Sequence, residues 1–215
     1  MSLEAVIALA EAEVGRTEYP PNSNMTPYGQ AYGLNGYPWC VMFLWDVFHR
    51  AGEALAFYGG AKTASCSQLY RWYYDMGLIV PLEEARRGDL IFLNFEGKTA
   101  KDHIGLATRV LGAGRVKTIE GNTTPGEEGS QDNGGSVAIK TRFANQIVGV
   151  ARPMYMPEQK PDYEGHFAEE AIRWAYAFGL TKGYPDGTFQ PDKAITRGEM
   201  VEILYRYHNK FGGAK

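Results

Sequence analysis

The chain has 215 residues, enough for one well-filled core or for a mid-sized domain beside a small one. Its 22 basic and 25 acidic residues leave a net charge of −3, so no basic stripe argues for nucleic acid. No apolar run approaches the ~20 residues that span a bilayer, and the composition, with 14 Tyr and 26 Gly, is that of a globular protein. In chain order, the opening "MSLEAVIALAEAEVG" reads as an amphipathic helix ending at Gly15. Its acidic residues stand where a secretory leader would be basic, so the expectation is synthesis in the cytoplasm without a signal peptide. The segment "CVMFLWDVFHRAG" is the clearest helix, preceded by Pro38, ended by Gly52 and apolar enough all round to be buried. A further helix, "SCSQLYRWYYDMG", stops at Gly77. From residue 88 the pattern changes to short strands, "DLIFLNF", "HIGLATRV", "RVKTIEG", "SVAIKTRF" and "IVGVARP", separated by Gly-rich turns. Helices followed by such strands predict an α+β domain with an antiparallel sheet. "PMYMPEQKPDY" (153–163), with three prolines, reads as a linker, and 164–211 as a helix–loop–helix unit.

Cys40 heads the buried helix, where unsatisfied N–H groups and the positive end of the dipole favour thiolate over thiol. By itself it is a packed core thiol; free cysteine is among the most buried residue types. Two strands flank the Gly-containing turn "LGAG". A turn centred between Leu111 and Gly112 sets His103 directly opposite Glu120, with small Gly105, Ala107 and Thr118 leaving room on their face. Ile104, Leu106, Val110 and Ile119 then point to the other side. A carboxylate that fixes an imidazole, which in turn activates a thiol, is the logic of a nucleophilic triad. Cys66 is the one other cysteine, and two make a poor disulfide framework at this length. They can still pair, which would cap the thiol in question.

"YPWCVMFLWDVF", "RRGDLIFLNF", "KDHIGLATRV" and "TIEGNT", in that order and spacing, resemble the CHAP domain, a family of cysteine amidases and endopeptidases related to NlpC/P60 peptidoglycan hydrolases. The resemblance implies a papain-like core over 1–152 with Cys40 as nucleophile, His103 as general base and Glu120 as its orienting residue. Asn122 matches a polar residue that accompanies the triad, with a turn asparagine as the other reading. Gly88–Asp89 matches a strand-entry turn. The implied reaction is amide hydrolysis through a thioester, with the Cys40 backbone N–H and Tyr28, Tyr32 or Tyr37 as oxyanion donors. Some relatives carry an acidic calcium loop before the nucleophile. Here that region, "NSNMTPYGQAYGLNG", holds no carboxylate, and the remaining histidines and Cys66 lack zinc spacing, so no metal or other cofactor is expected. Trp72 and Tyr73 read as groove-lining aromatics or as packing against the sheet.

In the C-terminal unit Ala171, Trp174 and Phe178 recur at helical spacing, Pro185 and Gly187 shape a turn, and Thr196 with Glu199 forms a capping box. The run "WA…GLTKGYPDGTFQPDKAITRGE" resembles an S-layer homology (SLH) repeat, with Gly198 in place of the family's usual alanine. The resemblance implies binding of secondary cell-wall polysaccharide, with Arg197 and Glu199 at the wall-binding site. SLH repeats usually come in threes. A lone one at 164–215, short of core, predicts either a homo-trimer through the repeat or docking on the catalytic domain, with the trimer preferred. Together the two resemblances imply a modular peptidoglycan hydrolase of phage-endolysin type, acting on the bacterial wall after host lysis. A bacterial autolysin and a non-catalytic wall-binding protein with a decayed hydrolase domain are the alternatives, and an acyltransferase or protease acting on proteins is a further one.

Overall fold

The computed structural model describes residues 3–95, 101–126, 134–155, 161–184 and 187–212. Four helices open the chain: α1 (Leu3–Ala12), α2 (Pro27–Tyr32), α3 (Cys40–Arg50) and α4 (Cys66–Asp75). Six strands follow, β1 (Ile79–Val80), β2 (Leu90–Leu93), β3 (His103–Gly112), β4 (Arg115–Thr123), β5 (Ser136–Phe143) and β6 (Ile147–Ala151), and then α5 (Glu169–Ala177) and α6 (Arg197–Phe211). The strands form one antiparallel sheet in the order β1-β6-β2-β3-β4-β5. This is the expected α+β architecture, helices packed on an antiparallel sheet.

The helices fill one face. Val6, Ile7 and Ala10 of α1, nearly the whole of α3, and Leu69 and Tyr73 of α4 meet Leu90, Phe92, Ile104, Leu106, Ile119, Val137 and Ala151 of the sheet. The all-round apolar character of α3 is thereby explained, since neighbours surround it; each such side chain contributes roughly 1.5–3 kcal/mol when removed from water. Ile91, Leu93, Ala107, Val116 and Val150 make a second cluster on the opposite side. Strand β2 is therefore buried on both faces, which is why its sequence, LIFL, does not alternate.

The turn between β3 and β4 lies later than expected. Its centre is Ala113–Gly114, both at positive φ (50° and 68°), as a tight two-residue hairpin requires. Bulges follow on β3, and the register near its start is Leu106↔Ile119 and Ala107↔Thr118, offset by two from the expected pairing. Continued by one residue, it sets Gly105 opposite Glu120, and His103 becomes the diagonal neighbour. Because side chains alternate with period two, a two-residue offset keeps the face assignments at this end of the strands, which an offset of one would have inverted. His103 and Glu120 thus still meet. The bulges turn Val110 out to solvent rather than into the core. The room expected above Gly105 is also absent, because the Glu120 side chain fills it.

The C-terminal helices rest on the first unit. Phe178 stands edge-on to Trp72 (6.1 Å between ring centres), and Lys210 Nζ donates to the Met76 carbonyl oxygen at 2.7 Å. Met76, Ala177, Phe178 and Leu180 form a small core there with Leu55, Leu78 and Phe211. The middle of the 153–163 segment, 156–160, lies outside the described residues. Its ends are packed: Tyr155 donates to the Gly88 carbonyl oxygen, and Tyr163 is buried against Ile172, Tyr176 and Phe189. Pro185 also lies outside the described residues, while the Thr196–Glu199 capping box forms as expected. No helix among the described residues is long and apolar enough to cross a membrane.

Candidate active site

Helix α3 begins at Cys40 without a side-chain cap, since its N-cap residue is Trp39. The first-turn N–H groups therefore lack the acceptor that Ser, Thr, Asp or Asn would supply. The Cys40 sulfur stands at this helix start, where the nearby Val41 N–H favours its thiolate. Gly121 lets the helix start approach this closely: a Cβ there would lie 2.6 Å from Phe43 Cβ and 2.8 Å from the Trp39 ring.

The neighbouring strands bring up the rest. His103 opens β3, and its Nε2 bonds Glu120 Oε2 at 2.9 Å, which leaves Nδ1 for Cys40, the thiol that acts with Glu120 to raise the ring. Glu120 is saturated. Thr118 Oγ1 donates to its Oε1 at 2.5 Å, and the Arg142 guanidinium forks onto both oxygens, Nε to Oε1 at 2.7 Å and Nη2 to Oε2 at 2.5 Å. Glu120, Arg142, His103 and Cys40 are all buried. Thiol, imidazole, carboxylate and guanidinium follow one another here, acidic and basic groups in alternation, the arrangement in which burying four ionisable groups is tolerable.

The electrostatics follow this geometry. Burial pushes the Glu120 carboxyl up, but the bonds from Arg142 and His103 outweigh it and hold the group at about 2. Burial likewise pulls His103 down, against the bonds to Cys40 and Glu120 that raise it to about 9. Cys40 falls well below its ordinary value of 9.0, through the bond from Cys66, against burial, and through His103 and the Val41 N–H. Cys66, the first residue of α4, sits with its sulfur 3.7 Å from that of Cys40, and both are free thiols.

The remaining sequence-derived candidates separate. Asn122 follows Glu120 by two residues on β4, buried, at a bulge and in the left-handed region (φ 55°), and among the described residues its Oδ1 has no hydrogen-bond partner. Tyr28 donates its hydroxyl to Glu13 at 2.7 Å and is therefore committed elsewhere, whereas Tyr37 is exposed three residues before Cys40. Tyr32 packs edge-on against Trp45. Trp72 is not gathered to this cluster; its partners are Tyr58, Tyr73 and Phe178, at the contact with the C-terminal helices. Tyr73 is core, with its hydroxyl on the Ala56 carbonyl. Asp89 accepts from Arg152 and from the Arg86 N–H, a structural role at the entry to β2. Among the described residues no three His, Cys, Asp or Glu side chains are grouped as metal ligands.

At the far end, Arg197 is exposed at the start of α6, and Glu199 accepts from the Thr196 N–H and hydroxyl, both at 2.8 Å. Glu199 also borders a cavity of about 590 Å³ together with Lys182, Tyr184, Lys193 and Arg206.

Residues 32–122 match the CHAP domain model and residues 161–201 match the S-layer homology domain model. The two matches lie on one chain and do not overlap. Cys40, His103, Glu120 and Asn122 fall within the CHAP domain match, and Arg197 and Glu199 within that of the SLH domain. Similar curated proteins include the Cellulosome-anchoring protein of Acetivibrio thermocellus, 45% identical over 49 residues, 23% of this chain and 11% of that protein. Cell surface glycoprotein 1 of the same organism is 48% identical over 48 residues, 22% of this chain and 2% of its own length. Outer membrane protein SlpA of Thermus thermophilus is 40% identical over 42 residues, 20% of this chain and 5% of that protein. The matches thus span a small fraction of these relatives. Among solved structures the wild-type endolysin LysIME-EF1 is similar, with a TM-score of 0.41 and 17% identity over 71% of this chain and 64% of that one.

Arg142 escaped the sequence reading. Strand β5 inverts the usual pattern: Lys140 and Arg142 are buried while Ile139 and Phe143 are exposed, so its charges read as an outer face.

Proposed function

We propose that the protein hydrolyses an amide bond of peptidoglycan, as an N-acetylmuramoyl-L-alanine amidase or a peptidoglycan endopeptidase, and that its SLH repeat holds it at the wall. The observation that carries this reading is the buried Cys40–His103–Glu120–Arg142 chain at the start of α3, within a CHAP domain joined to an SLH domain. The Cys40 thiolate attacks the scissile carbonyl carbon, and the carbonyl electrons move onto oxygen. Backbone N–H groups of the helix start, including that of Cys40, suit that oxyanion. As the tetrahedral species collapses, His103 gives its Nδ1 proton to the departing amine and a thioester remains. The same nitrogen then takes a proton from water, which attacks the thioester and frees Cys40. Glu120 keeps the ring oriented and stabilises its charged form throughout. The Oδ1 of Asn122, buried and unpartnered among the described residues, is available to accept an N–H from the bound peptide.

Arg197 presents a planar, permanently charged fork at the surface, suited to the acidic groups of a secondary wall polysaccharide, and Glu199 fixes the helix start that carries it. The homo-oligomer expected of a lone repeat draws support from α6, which exposes Met200, Val201, Leu204, Tyr205 and Tyr207. Docking of this repeat on the CHAP domain supplies the core that it otherwise lacks.

Purified cell walls test the reading. Turbidity should fall with release of new amino groups and no new reducing ends, and the masses of the freed muropeptides should identify the severed amide. Release of reducing ends would assign a glycosidase instead, and unchanged walls would remove the hydrolase reading.

A further inference from the structure

The steps above use one of two adjacent thiols. Cys40 and Cys66 each begin a helix, their sulfurs are 3.7 Å apart, and the residues are 5% and 6% exposed. A buried cysteine ordinarily fills space as a small hydrophobe. Cys66 differs in that its sulfur lies against the sulfur of the nucleophile. We propose that Cys66 is a resolving cysteine: it converts a Cys40 oxidised by a hydroperoxide into a reversible Cys40–Cys66 disulfide, which halts wall hydrolysis and spares the nucleophile from permanent oxidation. The proposal rests on the assignment of Cys40 as nucleophile.

The chemistry balances in two steps. The Cys40 thiolate attacks one oxygen of the hydroperoxide, the O–O bond breaks, and an alcohol leaves after taking a proton, so that Cys40 becomes a sulfenic acid. The Cys66 sulfur then attacks Cys40 Sγ, an S–S bond forms as the S–O bond breaks, and the oxygen departs as water with the Cys66 proton. In sum, two thiols and one hydroperoxide give one disulfide, one alcohol and one water, or two waters where the oxidant is hydrogen peroxide. Each sulfur gives up one electron, and the hydroperoxide takes both.

The geometry suits the second step. A disulfide of ~2.05 Å asks the sulfurs to close by roughly 1.6 Å from 3.7 Å. The two thiols are also unequal. The bond from Cys66 and the His103 ring favour the Cys40 thiolate, whereas the bond to Cys40 and burial keep Cys66 protonated. The reactive sulfur is therefore oxidised first and the protonated one waits beside it.

The full chain, reduced and then treated with hydrogen peroxide, gives the test. Mass spectrometry should show the loss of two hydrogen atoms and a Cys40–Cys66 cross-linked peptide, and wall lysis should be lost and then recovered with dithiothreitol. In Cys66→Ser, measured against its own reduced form, Cys40 should gain two oxygens as a sulfinic acid, and dithiothreitol should not restore lysis. Accumulation of sulfinic acid on Cys40 of the unaltered chain without a cross-link would overturn the proposal, and that measurement does not depend on the variant folding. Full recovery of oxidised Cys66→Ser by dithiothreitol would overturn it as well. Lack of lysis by the fully reduced chain would instead overturn the hydrolase reading, while the masses still report whether the link forms.

Discussion

Gly105 and Glu120 face each other on β3 and β4, and the carboxylate side chain lies across the glycine, so that a Cβ on Gly105 would stand 2.7 Å from Glu120 Cγ. The same Cβ would be 3.0 Å from Thr118 Cβ, the residue whose hydroxyl holds Glu120 Oε1. A single methyl group therefore pushes the carboxylate off His103. Gly105→Ala should cost about 1–3 kcal/mol of stability by overpacking and should lower kcat on cell walls far more than it changes binding to them. Equilibrium urea unfolding and turbidity kinetics, run on the same preparation, separate the two effects.

Arg142 carries the charge that makes a buried Glu120 tolerable. In Arg142→Met the carboxylate loses both prongs of the fork and remains fully buried, leaving an uncompensated charge. Unfolding free energy should fall by about 3–5 kcal/mol. Arg142→Lys returns the charge without the two-pronged geometry and should lie between the two. Denaturant midpoints of the three proteins give the order.

The pH dependence has a definite sign. His103 is raised from 6.5 to about 9, so the stability it contributes is complete below pH 6.5 and is lost as pH rises through about 9. Glu120 is lowered from 4.5 to about 2, so its contribution is complete above pH 4.5 and is lost as pH falls towards 2. The thiolate–imidazolium pair persists until the ring gives up its proton. The alkaline limb of kcat/KM for wall lysis should thus fall near pH 9, well above the limb of an unperturbed histidine.

Much of the site could be read in the chain because its parts have local causes. Cys40 at a helix start, strands of alternating pattern around His103 and Glu120, and the Thr196 cap all follow from short-range rules. The register did not, because it depended on where a positive-φ pair, Ala113–Gly114, chose to turn and on bulges that the alternation does not reveal. Helix α2 went unread although Thr26, Pro27 and Gly33 mark its ends, since its six residues offer too little periodicity. Cys66 and Arg142 join the site across 26 and 22 residues from Cys40 and Glu120, and their approach is a tertiary event.

Phe178, within the SLH match, is packed between Trp72, within the CHAP match, and Phe211. Phe178→Ala should weaken this contact by about 3 kcal/mol. Amide hydrogen exchange should speed up in α5 and α6 while β4 keeps its protection. Equal acceleration in all three would mean that the repeat and the sheet unfold as one unit.

The most direct test of the account is wall lysis by Cys40→Ser. The variant should keep the circular dichroism of the parent and lose activity by several orders of magnitude, since a hydroxyl in place of the thiolate leaves the carbonyl unattacked. A folded Cys40→Ser that clears cell walls at the parental rate would contradict it.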